Sequence, residues 1–386
     1  MIQWRKNQLA INTSAALIFF GYTLVMPFLP SFVRELGVTS KAGVAFWSGL
    51  ILSCSPLIAA LCGPIWGRIG DRWGLKLLAQ RATVANALLW FSMGFAQNVY
   101  QLLALRALLG LLGGFNSVSV ALITQAAPRD KVPNMIGTLQ AVQILAAGVG
   151  PFVGGVLANV TGVRSTFFVT GLVMLGSVIS VFMLYDDTRE KTTLREKPPR
   201  HTAQFWKRPQ FLTTLMVLFF LNMADRTFGL IVPLFLEELG TTAAWVAGAV
   251  ISAATFGESA SAWISGKLAS RMTVRRLITG RLAASLAVLI PMIYVYSTTQ
   301  FTILRVLLAL LAGGTLTLTV SAASEVIPDE YRGTGFALLQ STSMLGGAAG
   351  PLVAGALAGW SIRSVFVFNA AVYGLMLGFV YKNVRH

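Results

Sequence analysis

Twelve separate stretches of the 386-residue chain stay apolar for roughly 20 residues or more, and this repetition constrains the fold more than any other feature. A helix rises about 1.5 Å per residue, so each stretch can cross a hydrocarbon core of about 30 Å. A segment in lipid must satisfy its own backbone N–H and C=O groups, which leaves the α-helix as the structure for such runs. The predicted spans are 9–33, 43–67, 76–97, 99–125, 134–158, 163–185, 210–237, 243–268, 275–296, 300–325, 332–358 and 361–382. Only 11% of the residues are charged and 55% are hydrophobic, against about 25% charged in soluble domains, which excludes a chain of two or three soluble domains. The one sustained polar stretch, 186–209, contains Lys197-Pro-Pro-Arg200 and separates six spans from six. The expected organisation is therefore an all-α membrane protein: a six-helix bundle over 1–185, a linker over 186–209 and a second six-helix bundle over 210–386. Arg5 and Lys6 ahead of the first run resemble the start of a signal peptide, but the run is about 25 residues long without a small-residue cleavage pattern, so it reads as an uncleaved span.

The formal net charge is +16, which in a soluble protein would suggest nucleic acid. Its distribution suggests a bilayer instead. If both termini are cytoplasmic, 23 of the 30 Lys and Arg fall in cytoplasmic segments, with Arg81 and Arg281 counted among the loop charges, and only four, Arg34, Lys41, Arg164 and Arg363, in outer ones. Retention of positive loops on the cytoplasmic side explains that asymmetry. A multi-pass protein of the cell membrane with both termini inside, and no nucleic-acid partner, is expected. Cys54 and Cys62 share one apolar run and stand about 12 Å apart along a helix, too far for a disulfide. His201 and His386 lie far apart in polar segments, and no Cys/His cluster has metal-ligand spacing, so no metal or other cofactor is expected.

The two halves are related in sequence. Thr124-Gln-Ala-Ala-Pro128 leads 23 residues later to Gly150-Pro151, and Ser324-Glu-Val-Ile-Pro328 leads 23 residues later to Gly350-Pro351. Leu105-Arg106-Ala-Leu-Leu matches Leu304-Arg305-Val-Leu-Leu, Val163-Arg164-Ser matches Ile362-Arg363-Ser, and Pro30 to Glu35-Leu36-Gly37 matches Pro233 to Glu238-Leu239-Gly240. One six-helix unit therefore occurs twice, the same way up, as in secondary transporters built from parallel repeats.

The second span ends in Gly67-Arg68-Ile69-Gly70-Asp71-Arg72-Trp73-Gly74-Leu75-Lys76. This resembles the signature of the major facilitator superfamily between spans two and three, at Gly67, Asp71, Arg72, Gly74 and Lys76; Leu75 stands where a second basic residue is usual. Glycines allow a tight turn, and Asp71 suits the positive N-terminus of a neighbouring helix. The resemblance makes that neighbour the eleventh span and the contact a latch on the cytoplasmic side; the plainer reading makes Arg68, Arg72 and Lys76 positive-inside residues alone. The second-half counterpart has Ser270 in place of the acid, so the latch is expected to be one-sided. Gly148-Val-Gly150-Pro151-Phe-Val-Gly154-Gly155 in span five resembles the Gly-Pro motif of this superfamily's exporters, with Gly137 fitting upstream and Ala146 departing from a usual glycine. Proline bends a span and glycines admit an opposing backbone; generic close packing is the alternative.

A charge in mid-membrane is costly and persists mainly when paired or facing a wet cavity. Asp225 and Arg226 fall near the middle of span seven and Glu258 near the middle of span eight. Consecutive residues point about 100° apart on a helix, so Arg226 paired with Glu258, with Asp225 turned to a cavity, is one consistent arrangement. Asp225 and Glu258 are the candidate proton-coupling carboxylates, against the alternative of a static ion pair. Leu-Arg106-Ala-Leu-Leu-Gly110 resembles the superfamily's fourth-span Arg-x-x-x-Gly signature, where the arginine is associated with proton coupling, with Leu109 departing from the common glutamine. Snorkelling to the outer surface is the other reading of Arg106 and of its repeat mate Arg305. Glu325 reads as interfacial.

Candidate substrate-contacting residues are Tyr22 and Met26 in span one, Asn116 in span four, Gln140 and Gln143 in span five, Phe228 in span seven and Gln340 in span eleven, with helix–helix hydrogen bonding as their plainer role. Over its whole length the chain resembles twelve-span drug:proton antiporters of the major facilitator superfamily. That resemblance implies two pseudo-symmetric bundles, alternating access, proton entry driving multidrug efflux of small lipophilic or cationic compounds, and a monomer in the bilayer. A proton symporter for a polar solute would usually carry more polar residues in both halves, and a non-transporting sensor has no need of the latch. No nucleophile–base pair or phosphate loop is visible, so an enzyme is not expected.

Overall fold

The computed structural model describes residues 3–126, 128, 131–185, 209–269, 271–328 and 331–383, with the side chains at 64, 71, 117, 126, 133, 184, 209, 324–326, 332–334, 337 and 383, Asp71 and Glu325 among them, outside the described set. The predicted linker 186–209 and Ser270 also lie outside it, Pro209 excepted. Within the described residues the regular structure is helical. The first half holds α1 (Gln3–Val25), α2 (Leu29–Glu35), α3 (Lys41–Trp73), α4 (Leu75–Met93), α5 (Val99–Leu112), α6 (Phe115–Ala126), α7 (Val132–Thr161) and α8 (Val163–Leu184). The second holds α9 (Pro209–Glu238), α10 (Ala244–Leu268), α11 (Val274–Met292), α12 (Thr298–Val326), α13 (Arg332–Ala358) and α14 (Ile362–Asn383). Every predicted span coincides with one helix or a consecutive pair. Among the described residues, seven helices are long and apolar enough to cross a membrane by length and composition alone: Gln3–Glu35, Lys41–Gly63, Asn134–Thr161, Val163–Met183, Gln210–Glu238, Thr298–Ala323 and Ile362–Lys382. Large apolar side chains stand fully outward, Trp360, Met183, Val160 and Leu61 among them, as lipid allows and water does not.

The chain divides into two compact units, one of residues 1–192 with 242–252 and the other of 193–241 with 253–386. Within each, the Gly-Pro helix lies against the first helix of its half through bare backbone. In the first unit a Cβ at Gly154 would collide with the Leu24 carbonyl, and one at Gly150 would come 2.8 Å from the Phe20 carbonyl oxygen. In the second, Cβ atoms at Gly346 and Gly350 of α13 would collide with the Phe219 and Met223 carbonyls of α9. Gly137 faces open space; the close approach belongs to the downstream glycines alone. Another repeated device holds the turns that follow α4 and α11. Arg164 donates to the Gly94 and Ala96 carbonyls, both at 2.9 Å, and Arg363 donates to the Ile293 and Val295 carbonyls at 2.6 and 3.0 Å. Gly94 and Ile293 are the C-caps of α4 and α11, where helix geometry leaves carbonyls without partners, and Ala96 and Val295 lie two residues beyond them.

Two details depart from the sequence reading. The Gly-Asp-Arg-Gly segment stays helical to Trp73, and the turn falls at Gly74 alone, with φ 95°; a Cβ at Gly67 meets nothing within 4 Å. Span four is broken. α5 stops at Leu112, Gly114 adopts φ 84° and α6 starts at Phe115, whereas its counterpart α12 runs unbroken through Gly313-Gly314. The carbonyls released by the break are taken by side chains: Trp66 Nε1 donates to Leu111 O at 2.6 Å and Arg81 Nη2 donates to Gly113 O at 2.9 Å. The Arg81 guanidinium lies 3.3 Å from the Trp66 ring centroid. Arg81 and its counterpart Arg281, counted above as loop charges, thus belong to helix bodies; Arg281 donates to Ser261 Oγ at 2.6 Å and Leu311 O at 3.1 Å.

Candidate functional site

The second unit gathers Asp225, Glu258 and Arg305 around one cavity. α10 brings Glu258 toward α12 because Gly313 has no side chain there: a Cβ at Gly313 would come 2.5 Å from Glu258 Cα. At that separation Arg305 Nη2 donates to Glu258 Oε1 at 3.1 Å. The Arg305 side chain is 9% exposed and that of Glu258 30%, so the pair is drawn largely out of solvent while the carboxylate keeps a face open. Arg305 also lies over the Phe228 ring, 4.4 Å from its centroid, an attractive placement for a desolvated cation. Asp225, Phe228 and Leu221 of α9, Tyr373 of α14, and Leu308, Ala312, Gly313 and Leu316 of α12 complete a small cavity of about 50 Å³ with Glu258 and Arg305. Two carboxylates, one guanidinium and two aromatic rings thus share a mainly apolar pocket.

The pairing differs from the one read from sequence. Glu258 bonds Arg305, and Arg226 is exposed, its stem against α13, where a Cβ at Gly350 would come 2.9 Å from Arg226 Cβ. The helical step between Asp225 and Arg226 does point them apart, with Asp225 on the cavity wall, but the partner of Glu258 comes from α12. Neither Arg106 nor Arg305 snorkels: they are 0% and 7% exposed. In the first unit Arg106 Nη2 donates to Met26 Sδ at 3.3 Å, and the guanidinium sits 4.6 Å from the Trp90 ring centroid. Tyr22 meets Trp90 edge-on at 6.0 Å. Tyr22, Met26 and Arg106 therefore form one cluster.

Asn116 and Gln143 are brought together, Gln143 Nε2 donating to Asn116 Oδ1 at 3.0 Å. Gln140 and Gln340 are exposed. Of the latch residues, Arg72 is exposed and Lys76 half-buried. Residues that sequence reasoning passed over are Tyr373, Gly313, Trp90 and Asn369, which donates to Thr227 Oγ1 at 2.8 Å. Gly313, within the doubled glycine of α12, is what admits α10; nothing in the order of residues distinguished Tyr373 from other aromatic residues in spans.

A family description reading Major Facilitator Superfamily matches residues 11–300 and 277–386. The chain belongs to the major facilitator superfamily. It is 33% identical over 377 residues to the Multidrug resistance protein MdtG of Escherichia coli O17:K52:H18 (strain UMN026 / ExPEC), covering 96% of this chain and 92% of that one, and equally so to MdtG of Escherichia coli (strain K12 / DH10B). Among solved structures it is similar to a bacterial homologue of the human lysosomal transporter Spinster in an inward-facing and occupied conformation, with TM-score 0.77 and 17% identity over 97% of this chain and 95% of that one. The nucleoside transporter NupG (D323A mutant) gives TM-score 0.75 and 11% identity, covering 98% of this chain and all of that one. These likenesses establish the major facilitator fold of a multi-pass membrane transporter. Family and fold are those of transporters rather than enzymes.

Proposed function

We propose that this major facilitator protein is a proton-driven exporter of small lipophilic or cationic compounds, working by alternating access in the cell membrane as a monomer with both termini cytoplasmic. The observation that carries the reading is the second-unit cavity, in which Asp225 and Glu258 face a small apolar space and Glu258 is bonded to Arg305. The MdtG relatives supply the direction, since their name describes multidrug resistance. A carboxylate that exchanges its arginine partner for a proton changes the charge of the pocket by one, and a lipophilic cation competes for the same negative site. Asp225 and Glu258 carry the proton in this reading, Arg305 governs when Glu258 is free to take it, Arg226 acts through its field rather than by contact, and Arg106 is the proposed coupling residue of the first unit. Phe228 and the first-unit Tyr22, Met26, Asn116, Gln140 and Gln143, with Gln340, are the proposed substrate contacts. Gly67, Asp71, Arg72, Gly74 and Lys76 form the proposed cytoplasmic gate, and Gly150, Pro151 and Gly154 the proposed flexing point of α7.

The test is dye accumulation in a pump-deleted bacterium expressing the chain, against cells carrying Asp225→Asn or Glu258→Gln. Lower intracellular dye with the wild type alone supports proton-driven export. Full efflux in both variants, or proton flux in proteoliposomes unchanged by either, refutes the coupling role. Raised uptake of a polar nutrient by the wild type would replace export by symport.

A further inference from the structure

The two halves place an arginine at the same point and treat it in opposite ways. Arg305 has Glu258; Arg106 is fully buried, and no carboxylate among the described residues bonds it. The register that matches Gly67 with Gly266 and Arg106 with Arg305 sets Ala59 opposite Glu258, so the acid is absent from the repeat itself. Between Gln3 and Tyr185 the acids are Glu35, Asp71 and Asp130; Glu35 ends α2, Asp71 stands in the last turn of α3, and Asp130 precedes α7. Among the described residues, the one hydrogen bond that Arg106 donates goes to a thioether, a weak acceptor. Its Nε and Nη1 atoms are buried without a hydrogen-bond partner among those residues, and so is Trp90 Nε1, on the ring over which the guanidinium lies.

An unpaired cation in an apolar interior costs several kcal/mol, of the order estimated for each ion of a buried pair, and orphaned donors add to that cost. Hydration satisfies donors but leaves the charge uncompensated. A group that resolves both must bring acceptor lone pairs and a negative charge. We propose that Arg106 anchors an anion site in the first helical unit, taking a small monovalent anion or the carboxylate of a transported molecule, with Trp90 and Met26 as its apolar and polarizable wall. Arg106 is then a binding residue, and the inference stands apart from proton-driven export because it concerns equilibrium binding to the resting protein.

The experiment is iodide titration of the purified full chain at constant ionic strength, balanced with gluconate and equilibrated at each point, read by tryptophan fluorescence. A heavy halide held against Arg106 quenches Trp90, so a saturable phase is expected above the linear collisional quenching of the other eight of the nine tryptophans. Trp90→Phe should remove that phase, and Arg106→Gln should weaken the binding by about tenfold or more, the weight of a charge-assisted hydrogen bond. Ala59→Glu, which returns to the first half the acid that Glu258 supplies in the second, should abolish it by occupying the guanidinium from within. Chloride displacing iodide identifies an inorganic anion site; decanoate displacing it where chloride does not identifies a substrate-carboxylate site. Linear quenching of equal slope in the wild type and all three variants overturns the proposal.

Discussion

Arg106 and Arg305 occupy matching positions, so replacing each by methionine asks whether a buried arginine's effect depends on its position or on its partner. Arg305→Met removes a charge-assisted hydrogen bond of 3.1 Å and leaves Glu258 without its cation. Such bonds contribute about 1.5–3 kcal/mol net. With the Glu258 side chain 30% exposed, screening brings the expected loss to about 1.5 kcal/mol. Arg106→Met surrenders a thioether contact and a cation–π placement 4.6 Å from the Trp90 centroid, about 1–2 kcal/mol together. It also abolishes the burial of an uncompensated charge, whose cost is several kcal/mol. The expected net effect is a stabilisation of about 1 kcal/mol. The assay is unfolding of purified protein in uncharged maltoside micelles by increasing urea, followed by circular dichroism in gluconate buffer, where no small inorganic anion and no anionic amphiphile is available to Arg106. The two variants should shift the unfolding equilibrium in opposite directions and differ from one another by roughly fiftyfold, at about 1.4 kcal/mol per factor of ten. Equal destabilisation by both substitutions would refute the reasoning, because it would mean that Arg106 is compensated as fully as Arg305.

Gly154→Ala should destabilise the first unit by about 1–3 kcal/mol through the collision with the Leu24 carbonyl, read as a lowered thermal midpoint; Gly137→Ala, in open space, should stay within about 0.5 kcal/mol of the wild type. Gly74→Ala forces a side chain into a backbone conformation with φ 95° and should cost about 1–3 kcal/mol, measured by the same melting curve. Arg81→Gln frees the Gly113 carbonyl and uncovers Trp66, so amide exchange at the start of α6 should accelerate. Arg281→Gln should leave exchange in the unbroken α12 near the wild-type rate.

Much of the architecture was legible because hydrophobic length is a one-dimensional property. Twelve spans, the paired halves and the mid-span charges follow from counting along the chain, and Gly150-Pro151 and Gly350-Pro351 recur at the same place in their halves. What was not legible depended on which helix faces which. Glu258 was assigned Arg226 because both lay at mid-span and in neighbouring spans; the partner proved to be Arg305, brought near by the missing side chain of Gly313 on α12. Arg81 and Arg281 were counted with the loops because each stands close to a predicted span end, yet both reach along their helices to carbonyls of the fourth and tenth spans. The break at Gly113-Gly114 had no signature to separate it from the intact Gly313-Gly314, since the same dipeptide serves a turn in one half and a close approach in the other.

Hydrophobic length and charge placement along the chain suffice to specify a two-fold repeated bundle of membrane-crossing helices with very few charges in its apolar body, because lipid favours the helix for such runs and penalises every unpaired ion. Which of those charges have partners is settled by packing. Pairing depends on distances set by small residues at helix crossings and by side-chain direction around each helix, and neither is a property of position along a chain. The same Leu-Arg-x-Leu-Leu segment therefore carries a bonded arginine in the second unit and, in the first, an arginine with no carboxylate bonded to it among the described residues.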